Sequence, residues 1–239
     1  MSYQDAVVTQ ARLWVDYREG PDNQNLFSGG LGRPAEAWCQ DFVQFVSASA
    51  GYKQPFPTAS VVAIGHWAKD NHIWIDSKNA APGCQICFDW LKGDGKEPAD
   101  WQQTHTGLYV GNGQTIEGNT GSPEGVWQKS RTLGAPNIWG AIDWPKYWAD
   151  HPEQFAPALS RFPGYPTIQL NSPQKDVVKA LQRSLNIVIG SRLDVDGGFG
   201  SNTKDACVRF QKMSRINANG VCNQQTWSSL DVALDKLRR

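Results

Sequence analysis

Five prolines fall within 22 residues, at positions 152, 157, 163, 166 and 173. Proline fixes φ and lacks a backbone N–H, so neither a helix interior nor a central strand runs through such a stretch. The segment therefore divides the chain. It predicts an N-terminal domain over 1–149, a semi-rigid linker over 150–172 and a small C-terminal domain over 173–239.

The first part changes pattern along its length. Residues 4–18 predict a helix with Ala6, Val7, Leu13, Trp14 and Tyr17 inward. A turn-rich stretch from Glu19 to Gly32 follows. Residues 35–50 predict a second helix, with Phe42, Val43, Phe45 and Val46 as its apolar face and Gly51 as its stop. A third helix is expected over 60–70. Strands are then expected over 85–90, 107–110, 114–117, 130–133 and 138–142. Helices followed by an antiparallel sheet make an α+β domain.

Beyond the prolines the pattern is helical. Residues 174–185, 203–213 and 226–237 predict three amphipathic helices, hence a small all-α domain. Val177, Val178, Leu181 and Leu185 line the first, and Ala206, Cys207 and Phe210 the second. A short internal echo supports the bundle. Asp196-Gly197 is followed by Thr203, and Asn219-Gly220 by Thr226, at the same offset. Gly suits a positive-φ turn, and Thr is expected to cap the helix after it.

The 23 basic and 23 acidic residues balance, which gives no reason to expect a nucleic acid or an anionic membrane as partner. No apolar run approaches the length of a membrane span. The start lacks the basic and apolar pattern of a secretory leader, so synthesis in the cytoplasm is expected. A monomer is expected. Five cysteines, an odd number, argue against a disulfide scaffold and leave room for a reactive thiol. The eleven tryptophans suit a core, or exposed faces that stack on sugars or peptide groups.

The chemistry-bearing candidates are far apart in sequence. Cys39 falls near the start of the second helix, where the helix dipole favours a thiolate. His105 opens the strand that leads to Gly111-Asn112-Gly113. A two-residue Asn112-Gly113 turn would set Glu117 on the face opposite His105. A three-residue loop instead pairs Val110 with Gln114, Leu108 with Ile116, Gly107 with Glu117 and His105 with Asn119. That register gathers Leu108, Val110 and Ile116 on one face and His105, Glu117 and Asn119 on the other, so the apolar sorting selects it. A thiolate, an imidazole, a carboxylate and an amide would then be available as nucleophile, base and orienters.

The remaining candidates read as structural. His66 lies on a helix, His72 in a turn and His151 at the linker. Cys84 and Cys87 have metal spacing, but residues three apart on a strand point to opposite faces. Cys207 and Cys222 read as core. No metal site is expected. Asp194 and Asp196, the stretch Glu19, Asp22, Asn23 and Asn25, and the set Asp89, Asp94 and Asp100 leave calcium open, with solvated turns the simpler reading. No other cofactor is expected.

With those residues in view, the chain resembles a known family. Trp38-Cys39-Gln40-Asp41-Phe42-Val43, Pro82-Gly83-Cys84-Gln85-Ile86-Cys87-Phe88-Asp89-Trp90, His105-Thr106-Gly107-Leu108-Tyr109-Val110 and Thr115-Ile116-Glu117-Gly118-Asn119 resemble segments of CHAP domains, the cysteine, histidine-dependent amidohydrolases and peptidases. Cys84 stands where that family usually has Asp. Leu181-Gln182-Arg183-Ser184-Leu185-Asn186, Val195-Asp196-Gly197-Gly198-Phe199-Gly200, Phe210-Gln211 and Thr226-Trp227 resemble the three-helix peptidoglycan-binding domain. The order of the two resembles phage endolysins.

The resemblance implies a papain-like catalytic domain with Cys39 as nucleophile, His105 as base, Glu117 as its orienter and Asn119 as a further polar member. It implies peptidoglycan as substrate and partner, and cleavage of a wall amide, as an amidase or an endopeptidase, after release from the cytoplasm. A wall-binding module would raise the local concentration of the catalytic one on an insoluble polymer. A non-catalytic wall-binding protein, a secreted antibacterial effector with the same chemistry and a metal-dependent amidase are the alternatives.

Overall fold

A computed structural model describes residues 2–90, 96, 98, 104–152, 162 and 165–237, the side chain of residue 235 excepted. The chain forms two compact units that divide at residues 159 and 160.

The N-terminal unit is α+β. Helices α1 (Tyr3–Arg12), α2 (Leu26–Gly30), α3 (Cys39–Ser49) and α4 (Val61–Asp70) precede most of the sheet, and α5 (Trp144–Asp150) follows it. The strands are β1 (Trp74–Ile75), β2 (Gln85–Asp89), β3 (Thr104–Gly111), β4 (Gln114–Thr120), β5 (Gly125–Ser130) and β6 (Ile138–Ile142). They form one sheet in the order β1-β6-β2-β3-β4-β5, antiparallel throughout.

All eleven residues of α3 are buried, which makes it the central helix of the unit. Phe27 of α2 stacks on Trp38 at 5.1 Å and meets Phe42 and Phe45 edge-on at 5.1 and 5.4 Å. Trp14 closes on Phe27 at 5.4 Å. Fully buried side chains of this size contribute roughly 1.5–3 kcal/mol each, so this aromatic knot fixes where α3 begins. Glycine lets the sheet come close: a Cβ at Gly118 would meet Phe42 Cβ and the Trp38 ring at 2.6 Å.

Several boundaries differ from the sequence expectation, each for a tertiary reason. The first helix stops at Arg12 rather than residue 18. Asp16 turns left-handed, at φ +67°. Its N–H donates to Val126 O, Val126 N–H donates to Tyr17 O, and Arg18 bridges to Gly125. The sheet edge thus captures the end of the predicted helix. The strand expected over 130–133 lies at 125–130, because Gln128 and Trp127 pair with Ile116 and Glu117.

The hairpin reaches the expected register by a different route. Leu108 faces Ile116 and Tyr109 faces Thr115, but Gly111, not Val110, faces Gln114. The turn is the two-residue Asn112-Gly113, both at positive φ, as a two-residue hairpin favours. The ladder shifts between Tyr109 and Gly111. That bulge restores the face that a plain two-residue turn would reverse. The expected pairings of Gly107 with Glu117 and of His105 with Asn119 are absent from the ladder. Asn119 is left-handed, at φ +54°, and β4 shifts register against β5 between Glu117 and Thr120.

The C-terminal unit is helical, with α6 (Lys175–Ile189), α7 (Ser201–Met213) and α8 (Gln224–Lys236). Its internal echo is physical, though Thr is not the cap expected. Buried Gln182 accepts from Gly197 N–H at 3.0 Å and donates to Asp196, Gly198 O and Thr203 at 2.8–3.2 Å. Buried Gln211 repeats the device, accepting from Gly220 N–H at 2.9 Å and donating to Val221 O and Thr226 at 2.9 and 3.1 Å. Each Thr lies inside its helix as part of this staple. Cys207 and Cys222 are fully buried in the bundle.

The stretch expected as linker packs in part on this unit. Trp227 meets Phe162 at 4.8 Å and Tyr165 at 5.1 Å and donates to Pro166 O. Ile168 bridges to Cys222. Proline bars regular structure but not burial, and aromatic residues between prolines still lose apolar surface to the bundle. Residues 153–161, 163 and 164 of that stretch lie outside the described residues.

Candidate active site

The second helix begins at Cys39 instead of residue 35. Arg33 donates to Asp41 and to Gln44, which lie inside α3. Asp41, fully buried, also accepts from Ser28 Oγ at 2.7 Å. Trp38 is buried, and its indole donates to Glu19 at 2.6 Å. These ties hold residues 33–38 off the helix axis and leave Cys39 as the first helical residue. The first helical bond runs from Phe42 N–H to Trp38 O. The N–H groups of Cys39, Gln40 and Asp41 precede it and have no acceptor within the helix.

Behind the cysteine runs a chain of buried amides. Trp144 donates to Gln85 at 3.0 Å, Gln85 to Gln40 at 2.6 Å and Gln40 to Gln54 at 3.3 Å. It links α5, β2 and α3 immediately after Cys39. In front of the cysteine lies a cavity of about 470 Å³, lined by Glu36, Ala37, Cys39, Ala59, Ser60, Val61 and Thr104.

His105, in β3, is 5% exposed and hydrogen-bonds Cys39. Its Nε2 lies 3.0 Å from Glu117 Oε2. Phe88, its partner across the β2–β3 ladder, and Trp90 each lie 5.8 Å from the imidazole. Trp90 is 42% exposed, whereas Trp14, Trp38, Trp144 and Trp227 are fully buried.

Glu117 is fully buried and its two oxygens take four bonds. Oε1 accepts from Thr115 Oγ1 at 2.5 Å and Arg131 Nε at 2.7 Å. Oε2 accepts from Arg131 Nη2 at 2.6 Å and faces His105. Burial works against charge on Glu117, but the Arg131 and His105 bonds outweigh it and lower its pKa to about 2. Burial likewise disfavours charge on His105. The hydrogen bond to Cys39 and then that to Glu117 overcome it, raising the imidazole to about 9. At neutral pH the set therefore holds an imidazolium between a sulfur and a carboxylate.

Three of the four expected residues, Cys39, His105 and Glu117, come together. Asn119 makes no hydrogen bond to the imidazole among the described residues, and its Oδ1 is buried without a partner. Arg131 and Thr115 complete the site and were not foreseen. Thr115 could be read from the hairpin, since it alternates with Glu117 along β4. Arg131 could not, because its approach depends on the pairing of β5.

The other candidates stand apart. His151 stacks on Tyr147 at 4.3 Å, and its Nδ1 lies 2.8 Å from Tyr147 O. Cys84 lies 3.9 Å from Asp143 Oδ1, and burial raises its thiol to about 12. Cys87 is fully buried on β2, and its thiol is likewise raised to about 12. Among the described residues no group of three or more His, Cys, Asp or Glu could hold a metal ion. Asp94 and Asp100 lie outside the described residues. No described helix is long and apolar enough to cross a membrane.

A search of curated proteins returns no match to the chain. Residues 174–230 match the family described as "Putative peptidoglycan binding domain", which associates the helical C-terminal unit with the bacterial cell wall.

Proposed function

We propose that the chain is a peptidoglycan hydrolase of the endolysin kind, cleaving a wall amide with Cys39 while the C-terminal unit holds the polymer. The carrying observation is the line Cys39–His105–Glu117 beside an open cavity. The family match at residues 174–230 supplies the substrate class.

The geometry supports a nucleophilic mechanism in ordinary steps. Cys39 Sγ, as thiolate, attacks the amide carbonyl carbon, and the carbonyl electrons move onto oxygen. The N–H groups at the start of α3, without acceptors in the helix, are available to stabilise that oxyanion. His105 hands its proton to the amine nitrogen as the C–N bond breaks, leaving a thioester on Cys39. Water then attacks the thioester as His105 takes its proton, the C–S bond breaks, and the product acid leaves with the thiolate and protonated His105 restored. Glu117 holds the ring and stabilises the imidazolium throughout.

The test is digestion of purified walls by the full chain, with mass spectrometry of the fragments. Newly freed amines and carboxylates in equal number are expected, and their position distinguishes an amidase from an endopeptidase. Cys39→Ala should abolish release, thiol alkylation should do the same and a strong chelator should not. Unchanged release by Cys39→Ala would refute the proposal, and absence of release by the wild-type chain would favour a wall-binding protein without this chemistry.

A further inference from the structure

We infer that Arg131 is a positioning residue of this site: its fork fixes Glu117 in one rotamer and neutralises part of its charge, so that the carboxylate orients His105 without holding its proton too tightly. The inference rests on the reading of Cys39, His105 and Glu117 as the reacting set.

The bond lengths carry it. Glu117 meets Arg131 through two bonds, at 2.7 and 2.6 Å, one to each oxygen. Its contact with His105 is a single one at 3.0 Å. A guanidinium matches a carboxylate in this bidentate way with fixed geometry. The carboxylate is fully buried and the Arg131 side chain only 22% exposed, so solvent screens the interaction weakly. Thr115 takes a further lone pair at 2.5 Å. Glu117 is thereby saturated, with no freedom to turn toward or away from the imidazole.

Arg131 is itself held on three sides. Its backbone N–H donates to Gly113 O at 2.7 Å. Its guanidinium lies 5.0 Å from the Phe88 ring and 5.0 Å from the Trp90 ring. The same two rings flank His105 at 5.8 Å. Two cations thus share one carboxylate and one pair of aromatic rings.

The groups meeting His105 are Cys39 from α3 and Glu117 from β4, and Arg131, after β5, meets the same carboxylate. From β2 comes the Phe88 ring; Asp89 pairs with Thr104 and alternates to the other face. Within this set the sign is fixed. Glu117 favours the imidazolium, and Arg131 opposes it by occupying Glu117 and by like charge. A base that must return its proton to a leaving amine works best when it does not hold that proton too firmly.

The experiment titrates His105 by NMR of isotope-labelled full-length chain, alongside wall hydrolysis. Arg131→Met removes the charge and the fork. The His105 midpoint should rise, by about threefold to tenfold in proton affinity, and the alkaline limb of the rate profile should rise with it. Glu117→Gln should move both the other way. A midpoint that stays or falls in Arg131→Met would overturn the inference. Arg131→Lys keeps the charge but not the fork, and covers the case where the Met variant does not fold. It should hold the midpoint near wild type, with kcat lowered about tenfold and KM little changed. Wild-type kcat in that variant would overturn the positioning role. A wild-type chain that leaves walls intact would defeat the hydrolase reading instead, while the opposed midpoints still report on the Arg131–Glu117–His105 coupling.

Discussion

Gly107→Ala tests whether the sheet sets the site through backbone proximity. A Cβ at Gly107 would lie 2.4 Å from Glu117 Cγ, 3.2 Å from Ile116 O and 3.4 Å from Glu117 Cβ. Carbon atoms in contact prefer about 3.5–4.0 Å, so the overlap is roughly 1 Å. Glu117 cannot yield cheaply, because Arg131, Thr115 and His105 hold both its oxygens. Overpacking of this kind costs about 1–3 kcal/mol. At about 2–4 °C per kcal/mol for a unit of this size, Tm should fall by about 2–12 °C. A displacement of Glu117 by about 1 Å should lower the hydrolytic rate about 100-fold. Calorimetry and wall digestion read the two effects. Adding Glu117→Ala removes the clashing Cγ, so the double variant should be less destabilised than the two single variants summed. A Gly107→Ala chain with wild-type Tm and activity would refute the close approach and the register behind it.

The remaining predictions concern charge and polar burial. His105 is raised from 6.5 to about 9, so its stabilisation is complete below about pH 6.5 and is lost as pH rises through 9. At about 1.4 kcal/mol per unit this is on the order of 3 kcal/mol. Glu117 is lowered from 4.5 to about 2, so its contribution is complete above about pH 4.5 and is lost as pH falls through 2. Chemical denaturation across pH should show the greatest contribution of the pair between about 4.5 and 6.5, and Glu117→Gln should flatten the alkaline loss. Arg33→Ala strands the fully buried Asp41 with Ser28 and should cost about 3–5 kcal/mol by the same denaturation assay. Gln182→Leu leaves the buried Gly197 N–H without its acceptor, whereas Thr203 keeps its bond to Gly198 O. Urea unfolding of the C-terminal unit should show a loss of at least about 1–3 kcal/mol, with Gln211→Leu comparable.

Local chemistry made much of this protein legible. Alternation around Leu108 and Ile116, and glycine and asparagine at 111–113, gave the hairpin and the shared face of His105 and Glu117. Ser60 and Gly51 marked helix ends, and the paired Asp-Gly and Asn-Gly turns announced the repeat of the C-terminal bundle. These features depend on residues a few positions apart, whose backbone preferences act wherever the chain goes.

What the sequence left open depends on which distant surfaces meet. The start of α3 follows from Arg33 reaching Asp41 and Trp38 reaching Glu19. The loss of Asn119 from the set follows from a shift between β4 and β5. The fork of Arg131 on Glu117 joins residues 14 apart through the edge of a sheet. The roles of Gln182 and Gln211 as buried hubs appear only once a turn folds back over each. A polar residue looks the same in sequence whether water or a buried partner takes its hydrogen bonds. Packing removes the water, and only then does the identity of the partner determine charge, orientation and chemistry.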